Sequence, residues 1–275
     1  MTGSISTGFG TTISDNFDSH TIGAKAHGGS LWIPDTDPAL RWVTWIGTHT
    51  TADPSRHMSI EAGSAYGGRS GNVLKVNNGI QKGVTYAYLN EPGITEANND
   101  QWQLSIDFYI DQLVTTESST STMMLLGAFS ADFGAQYTNV ANRLFSFAVR
   151  KTHSTGAIDG LMNVGETAVG GNEDITISGL AEDTWYTLTV NGNNQNQTVQ
   201  FTLTDGTSTQ ESQTYYYRQD LHTITRFTVG DLVPGQGDLV MDNFSLTQIP
   251  EPTTAMLMLG TGVVISTVLS RKKAQ

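Results

Sequence analysis

The chain has 275 residues, 29 of them glycine, with 15% charged and no cysteine. That profile suits one large turn-rich β domain and excludes disulfides, thiolate metal sites and cysteine nucleophiles. The formal charge of −12 repels phosphate backbones and sets nucleic acid aside as a partner.

Met1 to Gly29 has neither a basic start nor an apolar core, so a start upstream of Met1 is expected to carry any export signal. Ile13 to Asp18 alternates, with Ile13, Asp15 and Phe17 on one face, and reads as a short strand. Leu31 to Ile33 and Arg41 to Ile46 are weaker strand candidates, separated by the turn Pro34 to Pro38. Tyr66 to Gly71 is a loop that opens into a strand at Asn72 to Val76, and Val84, Tyr86 and Tyr88 alternate after it. From Trp102 to Ile110 the alternation is strict: Trp102, Leu104, Ile106, Phe108 and Ile110 share one face, and polar residues and Tyr109 take the other. One dry and one wet face is what antiparallel packing produces.

Met123 to Phe129 and Arg143 to Arg150 are similar, with a loop or one short helix between them. Thr184 to Asn191 and Thr198 to Asp205 read as a hairpin in which Tyr186, Leu188 and Val190 face Val199, Phe201 and Leu203. Ile224 to Val229 and Leu239 to Leu246 complete the set. Many short strands, Gly/Asn-rich turns and no amphipathic helix predict an all-β antiparallel sandwich of jelly-roll type.

The tail differs from everything before it. Pro250-Glu251-Pro252 precedes an uncharged run of 18 residues, Thr253 to Ser270, closed by Arg271, Lys272 and Lys273. That length sits at the lower end of a membrane-spanning helix, and the basic end is expected to stay cytoplasmic as a membrane stop. Triplet, apolar helix and basic end in this order resemble the PEP-CTERM sorting signal of Gram-negative bacteria. The resemblance implies export, transient anchoring through the C-terminal helix, and recognition by an exosortase-type sorting enzyme at Pro250, Glu251 and Pro252. A plain C-terminal anchor after a Pro-rich linker is the alternative. The expected layout is a poorly ordered 1–12, a sandwich over 13–247, a linker over 248–252, a transmembrane helix over 253–270 and a basic cytoplasmic end over 271–275. The hairpin ending at Asp205-Gly206 is also similar to stretches of concanavalin A-like and laminin-G-like sandwiches.

One echo links the ends of the domain: Asp15-Asn16-Phe17 returns as Asp242-Asn243-Phe244. Alternation puts Asp242 on the face of Val240, Phe244 and Leu246, so both aspartates need a partner. Turn N–H groups would serve. The alternative is structural Ca²⁺ held by Asp15 and Asp242, a site that resemblance to calcium-binding jelly rolls allows near joined termini.

No catalytic residue is assigned. Asp107 and Asp111 lie on one wet face about 13 Å apart by strand rise, too far for either glycosidase geometry, and read as solvated acids. The six histidines show no zinc-protease spacing. Tyr215, Tyr217 and Trp42 are candidate glycan-stacking rings, with core packing as the alternative. The combined expectation is an exported surface or matrix protein, non-catalytic, that binds glycan or serves structurally with exopolysaccharide in a biofilm. The alternative is a polysaccharide-degrading hydrolase or lyase on the same fold.

Overall fold

The computed structural model describes residues 12–24, 31–32, 42–46, 57–77, 83–94, 101–113, 121–130, 143–165, 171–235 and 237–249. In chain order the strands are β1 (Thr12–Asp15), β2 (Gly23–Ala24), β3 (Leu31–Trp32), β4 (Trp42–Ile46), β5 (His57–Ala62), β6 (Asn72–Asn77), β7 (Gly83–Ile94), β8 (Gln101–Leu113) and β9 (Ser121–Phe129). They continue as β10 (Arg143–Lys151), β11 (Ile158–Val164), β12 (Glu173–Leu180), β13 (Trp185–Asn193), β14 (Thr198–Thr204), β15 (Thr209–Glu211), β16 (Tyr215–Tyr216), β17 (Ile224–Gly235) and β18 (Gly237–Ile249). The one helical element among the described residues is a 3-10 turn at Gly63–Ala65.

Ten strands make one sheet in the order β15, β14, β13, β8, β18, β6, β5, β2, with β1 also paired to β18 and β16 to β14. Eight make the other, in the order β12, β11, β10, β9, β17, β7, β4, β3. The pairings are antiparallel. The result is an antiparallel β-sandwich of the jelly-roll kind.

The alternation read from β8 becomes the centre of the core. Leu104, Ile106, Phe108 and Ile110 are fully buried, as are Leu188 and Val190 on β13 and Phe201 on β14. Each such side chain contributes about 1.5–3 kcal/mol by leaving water. The two strands pair as the predicted hairpin, and β13 runs on to Asn193, so Leu188 lies opposite Leu203, Val190 opposite Phe201 and Gly192 opposite Val199. From the facing sheet, Phe145 stacks on Trp102 at 5.8 Å and Phe147 meets Phe108 at 6.0 Å. Trp102 sits opposite Gly192 on β13, and a Cβ there would lie 2.0 Å from the indole. The missing side chain is what lets the ring lie across the neighbouring strand.

The sequence reading passes over β5, β11 and β12. In β11 the pattern is interrupted by Gly160, whose missing Cβ leaves room for Phe147 at 2.7 Å. In β12 few residues are buried, because it is an edge strand. The proposed membrane helix at 253–270, the Pro-Glu-Pro triplet and the basic end lie outside the described residues. No helix among the described residues is long and apolar enough to cross a membrane.

Candidate functional site

Tyr109 breaks the wet-face pattern of β8: it points away from the sandwich core and is still buried. The cover is the segment from Gly63 to Gly71, folded over the outer face of the ten-stranded sheet. Gly67 and Gly68 take positive φ there, 61° and 73°, a conformation glycine adopts without a Cβ penalty. Trp185 Nε1 donates to the Tyr66 carbonyl at 2.9 Å, which ties the segment to β13. Tyr66 then meets Tyr109 edge-on at 5.9 Å, and both pack with Val73, Val240 and Trp185 in a second, outer apolar cluster.

The same segment carries Arg69 onto the sheet. Its guanidinium lies over the Trp185 ring, 4.2 Å from the centroid. Nε donates to Asp242 Oδ2 at 2.6 Å and Nη2 donates to Asp107 Oδ2. Asp107 and Asp242 are directly opposite on β8 and β18, so one arginine holds two carboxylates that would otherwise repel. Thr187 Oγ1 donates to Asp107 Oδ1 at 2.6 Å, and Asn243 Nδ2 donates to Oδ2 at 2.9 Å. Burial alone would lower the Arg69 pKa, but its hydrogen bonds to Asp107 and Asp242 and the charges of both outweigh it and leave the group above its ordinary value. Burial pushes Asp242 up; Arg69 and the Asn243 N–H pull it down, and Asp107 adds to the rise.

Asp242 reaches this face through a bulge. Between the pairs Asp242–Asp107 and Ser245–Ser105, β18 spends one more residue than β8, and Asn243 takes φ 48°. The bulge resets the alternation. Leu239 and Met241 point into the core before it and Phe244 and Leu246 after it, while Val240 and Asp242 point outward. The expectation that Asp242 shares a face with Val240 holds; the expectation that it shares one with Phe244 and Leu246 does not. Asp107 and Asp111 are not free solvated acids either. Asp111 accepts from Lys75 Nζ at 2.8 Å, and the same ammonium lies 3.1 Å from Asp238.

The two Asp-Asn-Phe segments are neighbours, with β1 against β18 and Asp15 opposite Phe244. Their carboxylates have separate partners. Asp15 Oδ1 accepts from the Phe17 N–H at 2.7 Å and Oδ2 meets His20 Nε2 at 2.8 Å. Asp242 Oδ1 accepts from the Asn243 N–H at 2.7 Å, and Arg69 takes Oδ2. Protein partners already serve both carboxylates: a guanidinium supplies the positive charge at Asp242, and one backbone N–H meets Oδ1 of each residue, the turn N–H arrangement that needs no Ca²⁺. No group of three or more His, Asp or Glu among the described residues is arranged to hold a metal.

The aromatic platform is corrected likewise. Tyr215 is 5% exposed and Tyr217 fully buried, and a ring without an open face cannot stack on sugar. Tyr217 Oη donates to Asn194 Oδ1 at 2.7 Å, an acceptor shared with Trp102 Nε1 at 3.1 Å. The wetter face of that segment belongs to Tyr216, at 37%. Trp42 lies on β4 opposite Leu89 and Trp32, and its ring is outside the described residues. What sequence reasoning missed is Arg69 and the Asp107–Asp242 pair, which no local motif announces.

Beside Arg69 is a cavity of about 430 Å³ lined by Asn16, Asp18, Arg69, Ser70, Asp242 and Asn243. Its walls carry hydrogen-bonding groups of both senses and few apolar atoms.

Buried phenols give this protein a definite alkaline response. Burial, then a hydrogen bond to Glu61, raises Tyr66; burial raises Tyr217; burial and the bond to Asp183 push Tyr109 up to about 12. Unfolded tyrosines ionise near pH 10. Above that pH the unfolded chain has lost protons that these three folded phenols retain, so stability falls as pH rises from about 10 to 12. Absorbance titration of the nine tyrosines is expected to show a late phase that coincides with loss of the β circular dichroism signal. A single step near pH 10 with the fold intact would contradict it.

These observations define an all-β sandwich with an ion-paired outer face. Residues 248–273 match the family model described as the PEP-CTERM protein-sorting motif. The chain carries that motif, which implies an exported protein processed at the membrane and recognised by an exosortase. No curated protein matches the sequence. Among solved structures, the globular domain of T. cruzi calreticulin is 11% identical, with 84% of this chain and 95% of that one covered at a TM-score of 0.51. The PL7 alginate lyase AlyA1 from Zobellia galactanivorans is 14% identical, with 83% and 94% covered at 0.49. The carbohydrate esterase vb_24B_21 from Shiga toxin-encoding bacteriophage phi24B is 13% identical, with 75% and 89% covered at 0.47. At these identities the calreticulin likeness speaks for the fold and for nothing finer.

Proposed function

We propose that this chain is an exported surface or matrix protein whose sandwich acts without catalysis, as a glycan-binding or structural module associated with exopolysaccharide. In this reading Pro250, Glu251 and Pro252 are read by an exosortase-type enzyme, 253–270 is a membrane helix, and Arg271, Lys272 and Lys273 form its cytoplasmic stop. The sandwich over 13–247 is the working domain. The observation that carries the proposal is the sorting motif at 248–273.

Support for a non-catalytic role comes from the outer face. A general acid or base needs a proton or lone pair aimed at substrate, and Asp107 and Asp242 spend theirs on Arg69, Thr187 and Asn243. A hydrolase or lyase is the second reading. It is favoured by one observation: two carboxylates from separate strands stand opposite each other, and burial holds one of them high.

Two measurements test the proposal. Alanines in place of Pro250, Glu251 and Pro252 are expected to leave the protein unprocessed in the membrane fraction, while the wild type moves to the surface in a shortened form; identical location and mass for the two would overturn the sorting role. Purified wild type is expected to release no reducing or unsaturated ends from exopolysaccharide. Sustained release would replace the binding module with the enzyme.

A further inference from the structure

The outer face of the ten-stranded sheet has a second half. Register places Thr198, Asn193, Gln101 and Ile249 in one row across β14, β13, β8 and β18. The next row is Gln200, Asn191, Gln103 and Thr247, and the next is Thr202, Thr189, Ser105 and Ser245. All of these residues are exposed or half-buried. None is charged, in a chain with 26 acidic and 14 basic residues. Charges border the strip on two sides: Glu211 on β15, which lies opposite Thr202 and accepts from Gln200 Nε2 at 2.9 Å, and Asp107 and Asp242 in the fourth row.

We propose that this uncharged strip is a binding site for neutral, hydroxyl-rich glycan chains. The inference rests on the glycan-binding reading above and names its site and ligand class. Strands about 4.8 Å apart make four strands roughly 14 Å wide, room for a short run of sugar units laid across them. Amides and hydroxyls offer donors and acceptors side by side, which is the requirement set by vicinal sugar hydroxyls. The strip's side chains are already partly ordered: Gln103 Nε2 donates to Asn191 Oδ1 at 2.8 Å, and the Asn196 N–H holds Asn193 Oδ1 at 2.8 Å. Holding amides in place before binding reduces the entropy lost on association. At one end the strip deepens into a cavity of about 300 Å³, where Gln101, Asn191, Asn193, Thr198 and Gln200 meet the exposed side chain of Ile249. One apolar wall beside polar ones suits a sugar ring, which has C–H faces and hydroxyl edges.

Charge selects against the acidic alternatives. The strip has no cation to pair with a uronate or sulfate, and Asp107 and Asp242 border it with their one arginine already shared. A protein partner would need an apolar centre, and Ile249 is the strip's single large apolar side chain.

The test is affinity electrophoresis or calorimetry of the full chain with neutral glucans and galactans and, separately, with alginate and polygalacturonate. Wild type is expected to bind a neutral chain without added Ca²⁺ and to ignore the acidic ones. The double variant Gln103→Ala, Asn191→Ala removes one amide pair from the surface and is expected to weaken binding at least tenfold with an unchanged melting temperature. Should the double variant unfold, Thr189→Glu supplies an independent block in the middle row, with the same expected loss. Binding of a neutral glycan that survives both variants would overturn this site and leave the glycan-binding reading in place. Preference for acidic chains would overturn the ligand class, and no binding to any glycan would remove both.

Discussion

Replacing Arg69 with methionine is expected to cost about 2–4 kcal/mol of stability, a large loss for a side chain on the outside of a sheet. The value lies between that of an exposed ion pair, about 0–1 kcal/mol, and that of a broken buried pair, about 3–5 kcal/mol. Exposure decides the position: the Arg69 side chain is 21% accessible, Asp107 13% and Asp242 6%. Without the guanidinium, two carboxylates directly opposite each other on β8 and β18 lose their common counter-charge. Methionine keeps most of the contact with Trp185, so the loss reports charge more than packing. Urea unfolding measures it. Adding Asp242→Asn to the variant is expected to restore at least half the loss, because it removes one of the two opposed charges. A loss under about 0.5 kcal/mol for Arg69→Met would place the cluster with ordinary surface pairs.

Asn194→Leu is expected to cost about 2–5 kcal/mol by a different route. Asn194 is fully buried, and its Oδ1 accepts from both Trp102 Nε1 and Tyr217 Oη. Leucine has a similar volume and no acceptor, so two buried donors lose their partner at about 1–3 kcal/mol each. Among the described residues the Asn194 Nδ2 has no hydrogen-bond partner, so the residue works through its oxygen. Tyr217→Phe removes one of the two donors. Combined with Asn194→Leu, it is expected to cost less than the sum of the single changes, as coupled sites do. Strict additivity would show that the two donors do not share an acceptor in solution.

How far the sequence led depended on the range of the cause. Period-two alternation is local, so β8 and the β13–β14 hairpin were legible down to which residues share the core face, while the hairpin's register was not. The nearness of the two Asp-Asn-Phe segments was also legible, from a repeat placed at both ends of the domain. The phase of β18 was not. A single extra residue at Asn243 turns Asp242 to the outer face, and nothing in the local pattern distinguishes that bulge from a continuing strand. Arg69 was missed because its role depends on a glycine-rich segment folding over strands more than thirty residues away in the chain. Tyr215 and Tyr217 were misplaced because alternation says which residues share a face and is silent on which face is covered. The neutral strip was invisible for a related reason: its rows exist only across strands, and along each strand its residues look like ordinary polar fillers.

The position of β18 has a mechanical consequence. The segment that carries the sorting motif emerges from its end, at Ile249, and β18 is bonded along one edge by β8 and along the other by β6 and then β1. Tension on a tether attached there runs along the strand axis. It must shear many hydrogen bonds on both edges together, where the same force on a sheet's outermost strand would peel them one after another. In the anchored state proposed above, the domain would therefore take load from that end in shear.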